Sequence, residues 1–399
     1  MRNLLKRKQQ NKQTHEVCQL WKVGLSDSKI LAIVLVILAA VYSCVQPFSP
    51  PEISAPSSYL VVDGFLNTGQ DSSFIELRRT QNINELVNPV VETGALLSVE
   101  SENGEAYSFA EMTNGKYALP PRQFDQTGKY RLRIETSNGA EYLSEYVIVT
   151  KTPPLDSISY KIDPVRNAMV FYANAQDPQN KTHFYRWKFE ETWEYESTYA
   201  SALEVVGGEV VLRKENITRC WRTDKSSNII LGSTIKQTSD IIKELPINSV
   251  PISTNKLYIK YSILMKQYAL SREAFEYWTT LSKTTQLTGS LFDPLPSLLT
   301  GNIRSTTNSA DLVFGYFSAS TEAKKRILIK PGLGAFPRCT EPDTLPIKCS
   351  SMEAECGLRT PLLLLSYWGA RSDSVTAASA DCTDCRLQGG TTMRPSFWE

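Results

Sequence analysis

Short stretches in which apolar and polar residues alternate recur along the chain between residues 59 and 149. A period of two residues is typical of β-strands that have one buried face. Three Asn-Gly pairs lie between these stretches, and Asn-Gly supplies the positive φ that tight hairpin turns need. The pattern predicts seven strands, at 59–65, 74–79, 96–101, 107–110, 116–119, 130–136 and 141–149. We therefore expect an N-terminal β-sandwich over residues 58–151, of immunoglobulin-like or transthyretin-like type.

The longest alternating stretch of the chain runs from Phe184 to Tyr195. Large aromatic residues occupy one face, and charged or polar residues occupy most of the other. This pattern predicts a long, half-buried strand. Further strands are predicted at 157–162, 168–173, 209–213, 229–232, 257–265, 311–318 and 326–330. Together they indicate a second β-sandwich-like domain over residues 155–330.

One segment of this second domain has helical periodicity. Ser271 is a suitable N-cap, and Glu273 suits the positive end of a helix dipole. The predicted helix, at about 271–285, has one face formed by Phe275, Trp278, Leu281 and Ser282. The predicted fold class is therefore mainly β: two β-sandwich domains of immunoglobulin- or fibronectin-like type with one inserted amphipathic helix. A Cys-rich C-terminal segment follows over residues 331–399.

The amino terminus has the pattern of an export signal. Residues 30–42 form an apolar run of thirteen residues, preceded by basic residues and followed by prolines. Such a helix spans about 20 Å, short of the roughly 30 Å hydrocarbon core of a bilayer. The sequence Val-Tyr-Ser-Cys that ends at Cys44 resembles the lipobox of bacterial lipoproteins. We expect a lipoprotein signal peptide over 1–43, lipid attachment at Cys44 and a Pro-rich tether over 44–57; the alternative is an uncleaved anchor in which Cys44 is incidental.

Six further cysteines lie beyond the predicted tether. An even number in an exported chain favours disulfides, with fifteen possible pairings. Cys349 and Cys356 are close enough to pair locally, and Cys339 can pair with Cys382 or Cys385. A zinc site and a redox Cys-x-x-Cys motif at residues 382–385 are the alternatives. The disulfide candidates are Cys220, Cys339, Cys349, Cys356, Cys382 and Cys385.

Composition and charge exclude some functions. Hydrophobic residues make up 41% and charged residues 21% of the 399 residues, which is typical of a globular chain. The net charge is +1, but residues 1–43 hold seven of the 43 basic and only two of the 42 acidic residues. The rest of the chain is therefore mildly acidic. It offers no basic surface for nucleic acid, which we exclude as a partner.

The sequence gives little support for catalysis. His183 is the one histidine beyond the predicted signal peptide, and the common motifs for metalloproteases, serine hydrolases, nucleotide binding and calcium binding are absent from the sequence. Glu190, Glu194 and Glu196 share one strand face with basic residues, which favours a solvated, salt-bridged surface. Glu191 falls on the aromatic face, and the pattern does not explain it. We predict no catalytic residue, no metal and no cofactor, and therefore no enzyme.

The aromatic residues at the end of the long strand allow two interpretations. Such a stripe is usually core, where large rings contribute most of the buried area. Near the strand end it can instead form a contact surface for a partner. The candidate contact residues are Trp193, Tyr195 and Tyr199.

Several segments together resemble the bacterial lipoprotein family known as domain of unknown function 4249, which is found in Bacteroidota. They are CVQPFSPPEISAPSSYLVVDGFL from residue 44, QDPQNKTHFYRWKFEETWEY from 176, CWRTDKSSNIILGST from 220, KQYALSREAFEYWTTL from 266 and DCTDCRLQGGTTMRPSFW from 381. The resemblance implies lipid attachment at Cys44. It also implies family positions for Cys220, Cys339, Cys382 and Cys385. Members typically accompany outer-membrane TonB-dependent receptors, so the resemblance implies such a receptor as partner.

The sequence thus predicts a lipid-anchored protein of the bacterial outer membrane, in the periplasmic or the surface leaflet. We expect it to act as a non-catalytic binding or assembly partner of a TonB-dependent transporter. The alternatives are a secreted hydrolase acting on glycan or peptide and a passive structural or adhesion protein. Facing carboxylates in a cleft would favour the hydrolase, and an apolar surface patch would favour the binding partner.

Overall fold

The strands of the first part of the chain form where the alternating pattern predicts them. The computed structural model describes residues 58–81, 90–207, 209–286, 299–334, 339–346, 362–368 and 374–398. The first nine strands are β1 Leu60–Asn67, β2 Ser73–Arg79, β3 Leu96–Ser101, β4 Ala106–Ser108, β5 Ala110–Glu111, β6 Lys116–Leu119, β7 Lys129–Glu135, β8 Glu141–Ser144 and β9 Val147–Thr150. The predicted Asn-Gly turns are confirmed by positive φ at Gly104, Gly115 and Gly139.

The middle of the chain forms longer strands. They are β10 Leu155–Asp163, β11 Ala168–Gln176, β12 Phe184–Glu196, β13 Leu203–Val206, β14 Glu209–Leu212, β15 Arg219–Lys225, β16 Ile230–Ser233, β17 Ile241–Pro251 and β18 Lys260–Ala269. A single 3₁₀ turn, Asn255–Leu257, precedes β18. The 13-residue strand β12 confirms the prediction of a long strand from Phe184.

The remaining elements include one long helix. They are α1 Arg272–Gln286, β19 Ile303–Ser305, β20 Val313–Phe314, β21 Ala319–Ser320, β22 Glu322–Ile329, β23 Asp343–Pro346, β24 Leu362–Trp368, β25 Ser374–Ser379 and α2 Ala380–Thr383, followed by the 3₁₀ turn Cys385–Gln388. Within the described ranges, no helix combines the length and the apolar composition that crossing a membrane requires.

The first sandwich has two layers. One layer contains β1, β2, β5, β6 and β20, and the other contains β3, β4, β7, β8, β9 and β19, with β21 joining β1 to β9. Alternate residues of both layers point inward and form one apolar core. Tyr117, Tyr130 and Tyr142 fill much of it and are almost fully buried.

Three strands of the first sandwich come from far along the chain. β19 pairs antiparallel with β8, while β20 and β21 pair in parallel with β1. The predicted strand at 311–318 had been assigned to the second domain, and that boundary is wrong because this segment completes the first. Parallel partners are joined by long crossovers and not by tight turns, so the order of strands in the sequence does not reveal the pairing.

The second sandwich packs a three-stranded sheet on a five-stranded one. The smaller sheet has the order β10-β11-β17, and the larger has the order β15-β12-β18-β22, with β16 also paired to β12. The inner aromatic face of β12 lies in the core, and Trp187 on that face has no exposed surface. Phe171 of the smaller sheet stacks on Tyr261 of the larger with ring centroids 5.0 Å apart. The mainly β, sandwich fold class is thus confirmed.

Helix α1 begins as predicted but buries a different face. The Ser271 hydroxyl accepts a hydrogen bond from the Ala274 amide at 3.2 Å, which caps the helix. The buried residues are Ala274 and Tyr277, whereas the predicted face through Phe275 and Trp278 is half-buried. The difference arises because Tyr277 packs on Tyr316 of the first sandwich, with centroids 5.3 Å apart.

Two disulfides connect the C-terminal segment. Cys220 of β15 is bonded to Cys385, and Cys339 is bonded to Cys382, one of its two expected partners. The disulfide candidates Cys349 and Cys356 lie outside the described residues. So do Cys44, the predicted signal peptide and the predicted tether. Strands β23, β24 and β25 form a small separate sheet in this segment.

The end of the chain covers part of the outer face of the larger sheet. Trp398 is 4% exposed, and its Nε1 donates a hydrogen bond to the Glu194 carboxylate at 2.9 Å. The Arg326 guanidinium lies 3.5 Å from the centre of the Phe397 ring. The prediction that Glu194 is solvated is therefore wrong, because the C-terminal residues fold back over it and leave it 8% exposed.

Candidate binding groove

A groove lies where the outer faces of the two sandwiches meet. Alternation along β12 buries Trp187 inward, so Lys188 and Glu190 point outward, toward strands β1 and β2. Phe65 of β1 packs edge-on against Tyr268 of β18, with ring centroids 4.9 Å apart. Below this contact the two surfaces diverge and enclose a cavity of about 670 Å³. This volume is within the range of protein ligand sites.

Charged residues line the groove, and most are paired within it. Glu190 pairs with Lys266 at 2.7 Å, and Asp71 pairs with Lys324 at 2.8 Å across the two sandwiches. Burial opposes ionisation of Glu190, but its hydrogen bond to Lys266 outweighs this effect and lowers its pKa. The Asp71–Lys324 pair joins the two walls of the groove, whereas Glu190 and Lys266 lie on neighbouring strands of one wall.

The apolar part of the groove consists of aromatic rings. Phe74 of β2 is 42% exposed, and the Lys116 ammonium lies 4.3 Å from the centre of its ring. Phe65 and Phe189 also line the cavity. Aromatic side chains are among the residues that are enriched at recognition surfaces. An outward Phe at position 74, on the polar face of a strand, is the signal by which the sequence could have revealed this surface.

At its narrow end the groove continues into a pocket of about 30 Å³. Arg186 and Lys188, two residues apart on β12, both line this pocket. The Arg186 guanidinium lies 3.5 Å from the centre of the Trp278 ring. Its Nε is buried and has no hydrogen-bond acceptor in the part of the chain that the structure describes. The nearest carboxylate to Lys188 is Asp63, at 3.8 Å.

Burial changes the titration of both cations. It lowers the pKa of Arg186, against a smaller opposing effect of Asp63. It also lowers the pKa of Lys188, where Asp63 again opposes the change and the neighbouring Arg186 adds to it. Lys188 is 38% exposed on the groove side, with protein atoms surrounding it elsewhere. The two cations are thus held close together with little compensating negative charge.

The predicted contact surface at the end of β12 is wrong for two of its three residues. Trp193 is 3% and Tyr195 is 2% exposed. The Lys256 ammonium lies 4.3 Å from the centre of the Trp193 ring, and the C-terminal segment packs beside Tyr195. The Tyr195 hydroxyl donates a hydrogen bond to the Cys385 carbonyl at 2.7 Å. Tyr199 is half-buried, and its hydroxyl donates to the Thr340 carbonyl at 3.0 Å. Trp193 and Tyr195 are thus core, the alternative that the sequence left open.

Glu191, which the alternating pattern does not explain, is part of a buried polar network. Its carboxylate accepts hydrogen bonds from the Tyr261 hydroxyl at 2.6 Å and the Asn248 amide at 3.1 Å, and it pairs with Lys256. Burial and the adjacent Glu191 raise the pKa of Tyr261 well above its usual value. These contacts of the Glu191 carboxylate join β12 to β17, to β18 and to the turn before β18. They therefore have a structural role.

The remaining sequence candidates do not form a metal or catalytic cluster in the described ranges. His183 is half-buried, and its Nδ1 has no hydrogen-bond partner there. Across residues 58–398, excluding the undescribed gaps, no group of three His, Cys, Asp or Glu side chains is placed to hold a metal ion.

The fold and the groove define a class: an all-β protein of two sandwiches with a disulfide-bonded C-terminal segment and a charged, aromatic groove between the sandwiches. The chain belongs to the family described as domain of unknown function DUF4249, whose model matches residues 45–326. This confirms the family that the sequence segments resemble. No curated protein matches the chain.

Some solved structures are similar over part of their length. The chain is similar to Salmonella alpha-2-macroglobulin mutant Y1175G, with 9% identity over 80% of this chain and 16% of that one, and a TM-score of 0.19. It is also similar to a segment of two fibronectin type-III domains from chicken tenascin, with 12% identity over 53% of this chain and 91% of that one, and a TM-score of 0.15. This chain thus covers about a sixth of the macroglobulin. Neither likeness bears on function.

Proposed function

We propose that the protein is a lipid-anchored, non-catalytic binding partner of an outer-membrane TonB-dependent transporter, and that the groove between the sandwiches is its binding face. The groove carries the proposal: a cavity of about 670 Å³ lined by exposed aromatic rings and by incompletely paired cations. Such a surface has the chemistry of recognition, whereas the one buried carboxylate on the aromatic face of β12 is fully occupied by structural partners.

A lipid at Cys44 would increase the effectiveness of such a groove. Confinement beside a membrane partner raises the effective concentration to roughly the millimolar range, so weak contacts suffice. The mildly acidic body and the export signal support a location at the envelope. The family resemblance supports a transporter as the partner, since members typically accompany TonB-dependent receptors.

Photo-crosslinking in intact cells tests the groove as the binding face. A photoreactive amino acid in place of Phe74, which is 42% exposed in the groove, should crosslink to a TonB-dependent transporter identified by mass spectrometry. The matched control is the same substitution at Val165, which is 93% exposed in the turn between β10 and β11, away from the groove. Equal crosslinking from both positions, or none to a membrane protein from Phe74, would contradict the proposal.

Anchoring is tested by replacing the predicted lipid-bearing cysteine. Cys44→Ala should remove the site of acylation and of cleavage, so the protein should accumulate at precursor size or be released from the outer-membrane fraction. Fractionation, immunoblotting and mass measurement distinguish these forms. Cys339→Ala, which removes a cysteine of the body, serves as the control and should leave processing unchanged. A Cys44→Ala protein that remains in the outer membrane at mature size would refute lipid attachment.

An assay of hydrolysis by the purified protein distinguishes the hydrolase alternative from the proposed binding function. A purified protein that cleaves envelope glycan or peptide, while the Phe74 variant crosslinks to no transporter, would replace the present proposal. A passive structural role predicts neither activity nor a crosslink that depends on the groove.

A further inference from the structure

The narrow pocket at the end of the groove contains two cations with too little negative charge around them. Arg186 has a buried Nε without an acceptor among the described residues, and it forms no ion pair within that part of the chain. The Lys188 ammonium is 3.8 Å from Asp63, which is beyond the length of a charge-assisted hydrogen bond. A desolvated cation without a partner is costly, so this pocket is a site that an anion would stabilise.

The residues that line the narrow pocket indicate the charge of a ligand that would bind there. Asp63 is the one carboxylate among the residues that line the pocket, and its side chain is 58% exposed on the groove side. It is therefore free to move out when another acid enters. Ser318 and Ser320 line the same pocket, and a serine hydroxyl can donate a hydrogen bond to an oxyanion.

Size and shape distinguish among anions. A pocket of about 30 Å³ accommodates a planar carboxylate better than a bulkier tetrahedral phosphate. A guanidinium presents its donors in a planar fork, which matches a carboxylate in two parallel hydrogen bonds. Contact with the Trp278 ring, 3.5 Å from the guanidinium carbon to the ring centre, restrains the position of that fork. The wider groove beyond is large enough for the rest of a ligand and offers it Phe65 and Phe74.

We propose that Arg186 and Lys188 form a carboxylate-binding subsite, and that the groove takes a ligand which places an acidic group there and an apolar group on the aromatic rings. An acidic peptide segment of the partner and a small carboxylic acid share this chemistry. The inference rests on the proposed function in one respect, because it takes the groove to be the binding face. It does not depend on which membrane protein supplies the ligand.

Calorimetric titration of the full-length protein in detergent tests the subsite. The probes are a blocked peptide Gly-Phe-Asp-Phe-Gly, whose Asp carries the one carboxylate, its Asn counterpart, glutarate and inorganic phosphate, all at constant ionic strength. The Asp peptide should bind at least about tenfold more tightly than the Asn peptide, a difference of about 1.4 kcal/mol. Glutarate that binds with the same dependence on Lys188 also supports the subsite and identifies a small acid as the source. Equal binding of the two peptides without glutarate binding, or tighter binding of phosphate, would overturn the proposal.

Substitutions in the pocket should change affinity in opposite directions. Lys188→Gln and Arg186→Gln should each weaken the Asp peptide about tenfold or more, whereas Asp63→Asn should strengthen it because the competing carboxylate is gone. Lys161→Gln is the matched control outside the groove, since Lys161 pairs with Glu244 on the smaller sheet of the second sandwich; it should change affinity less than about twofold.

Tryptophan fluorescence provides a second measurement that does not require the Arg186 variant to fold. Because Arg186 contacts Trp278, binding should change tryptophan emission in the parent protein and not in Trp278→Phe. Should Arg186→Gln fail to fold, the opposite effects of Lys188→Gln and Asp63→Asn decide the matter. A loss of affinity in Asp63→Asn would sink the proposal. Failure of the crosslinking experiment with a normal titration would remove the transporter and leave the subsite standing.

Discussion

Removing the disulfide between Cys220 and Cys385 should lower the free energy of unfolding by about 5 kcal/mol in the chain-entropy model. The bond closes a sequence separation of 165 residues and joins the C-terminal segment to β15. Without it, the unfolded chain gains the freedom of a very long loop. The variant is Cys220→Ala/Cys385→Ala, and urea denaturation of the oxidised protein followed by tryptophan fluorescence measures the change.

The second disulfide supplies the matched control. Cys339 and Cys382 are separated by only 43 residues, so Cys339→Ala/Cys382→Ala should cost less, about 4 kcal/mol in the same model. The order of the two losses is the sharper prediction, since strain and residual structure affect both absolute values. Equal losses, or a larger loss from the shorter loop, would contradict the assignment of the dominant constraint to Cys220 and Cys385.

Replacing Trp398 with Ala should destabilise the protein by about 3–5 kcal/mol, the range for large-to-small changes of buried aromatic residues. The ring is 4% exposed on the outer face of the larger sheet. Its removal also deprives the buried Glu194 carboxylate of the hydrogen bond from Nε1, leaving Arg219 at 3.5 Å as its remaining ion-pair partner. Urea denaturation measures the loss, and Trp398→Phe should lose less because the apolar contacts remain.

Leu387 serves as a control that tests whether the loss of stability at Trp398 comes from the burial of its ring. Leu387 lies in the same segment but is 62% exposed, so Leu387→Ala should change stability by less than about 0.5 kcal/mol. A double-mutant cycle of Trp398→Phe and Glu194→Gln should show coupling between the two side chains. Additive losses, or a Trp398→Ala protein as stable as the parent, would mean that the end of the chain does not cover the sheet.

Alternation predicted the strands that have one apolar and one polar face. It located β3 and β6 to the residue, because both strands bury every second side chain. It also placed β12 within one residue at each end, although residues 191–195 of that strand are all buried. The helix cap at Ser271 was predictable for a similar local reason. Both patterns depend on residues a few positions apart, which the sequence displays directly.

Strand β17 was missed because its sequence does not alternate cleanly. Ile241–Pro251 contains two prolines and pairs with β11 through two irregularities in register. Glu244 has a positive φ of 49° beside one of them, and such bulges shift the side-chain period by one residue. A two-residue period cannot be recognised across such interruptions.

The groove itself was not predictable from one sequence. Its walls come from β1, β2, β12, β18 and β22, which belong to different sheets. The placement of Arg186 and Lys188 on the polar face of β12 was evident, but a polar face is usually solvated. Only the tertiary arrangement shows that this face meets Asp63 and Phe65 instead of water. The burial of Tyr195 likewise involves Cys385, whose carbonyl accepts its hydrogen bond from 190 positions along the chain.

The interleaving of the two sandwiches has a consequence for biogenesis. β20 and β21 complete β1, and β22, which follows them directly, completes the sheet of β18. As the chain is synthesised, one edge of β1 therefore stays unpaired until residues beyond 313 arrive, and such an edge is prone to pair with other chains. Contacts this distant in sequence also slow folding. A holding chaperone would protect this edge during that interval. In evolution the two sandwiches would be inherited as one unit, since neither could be exchanged without breaking the other.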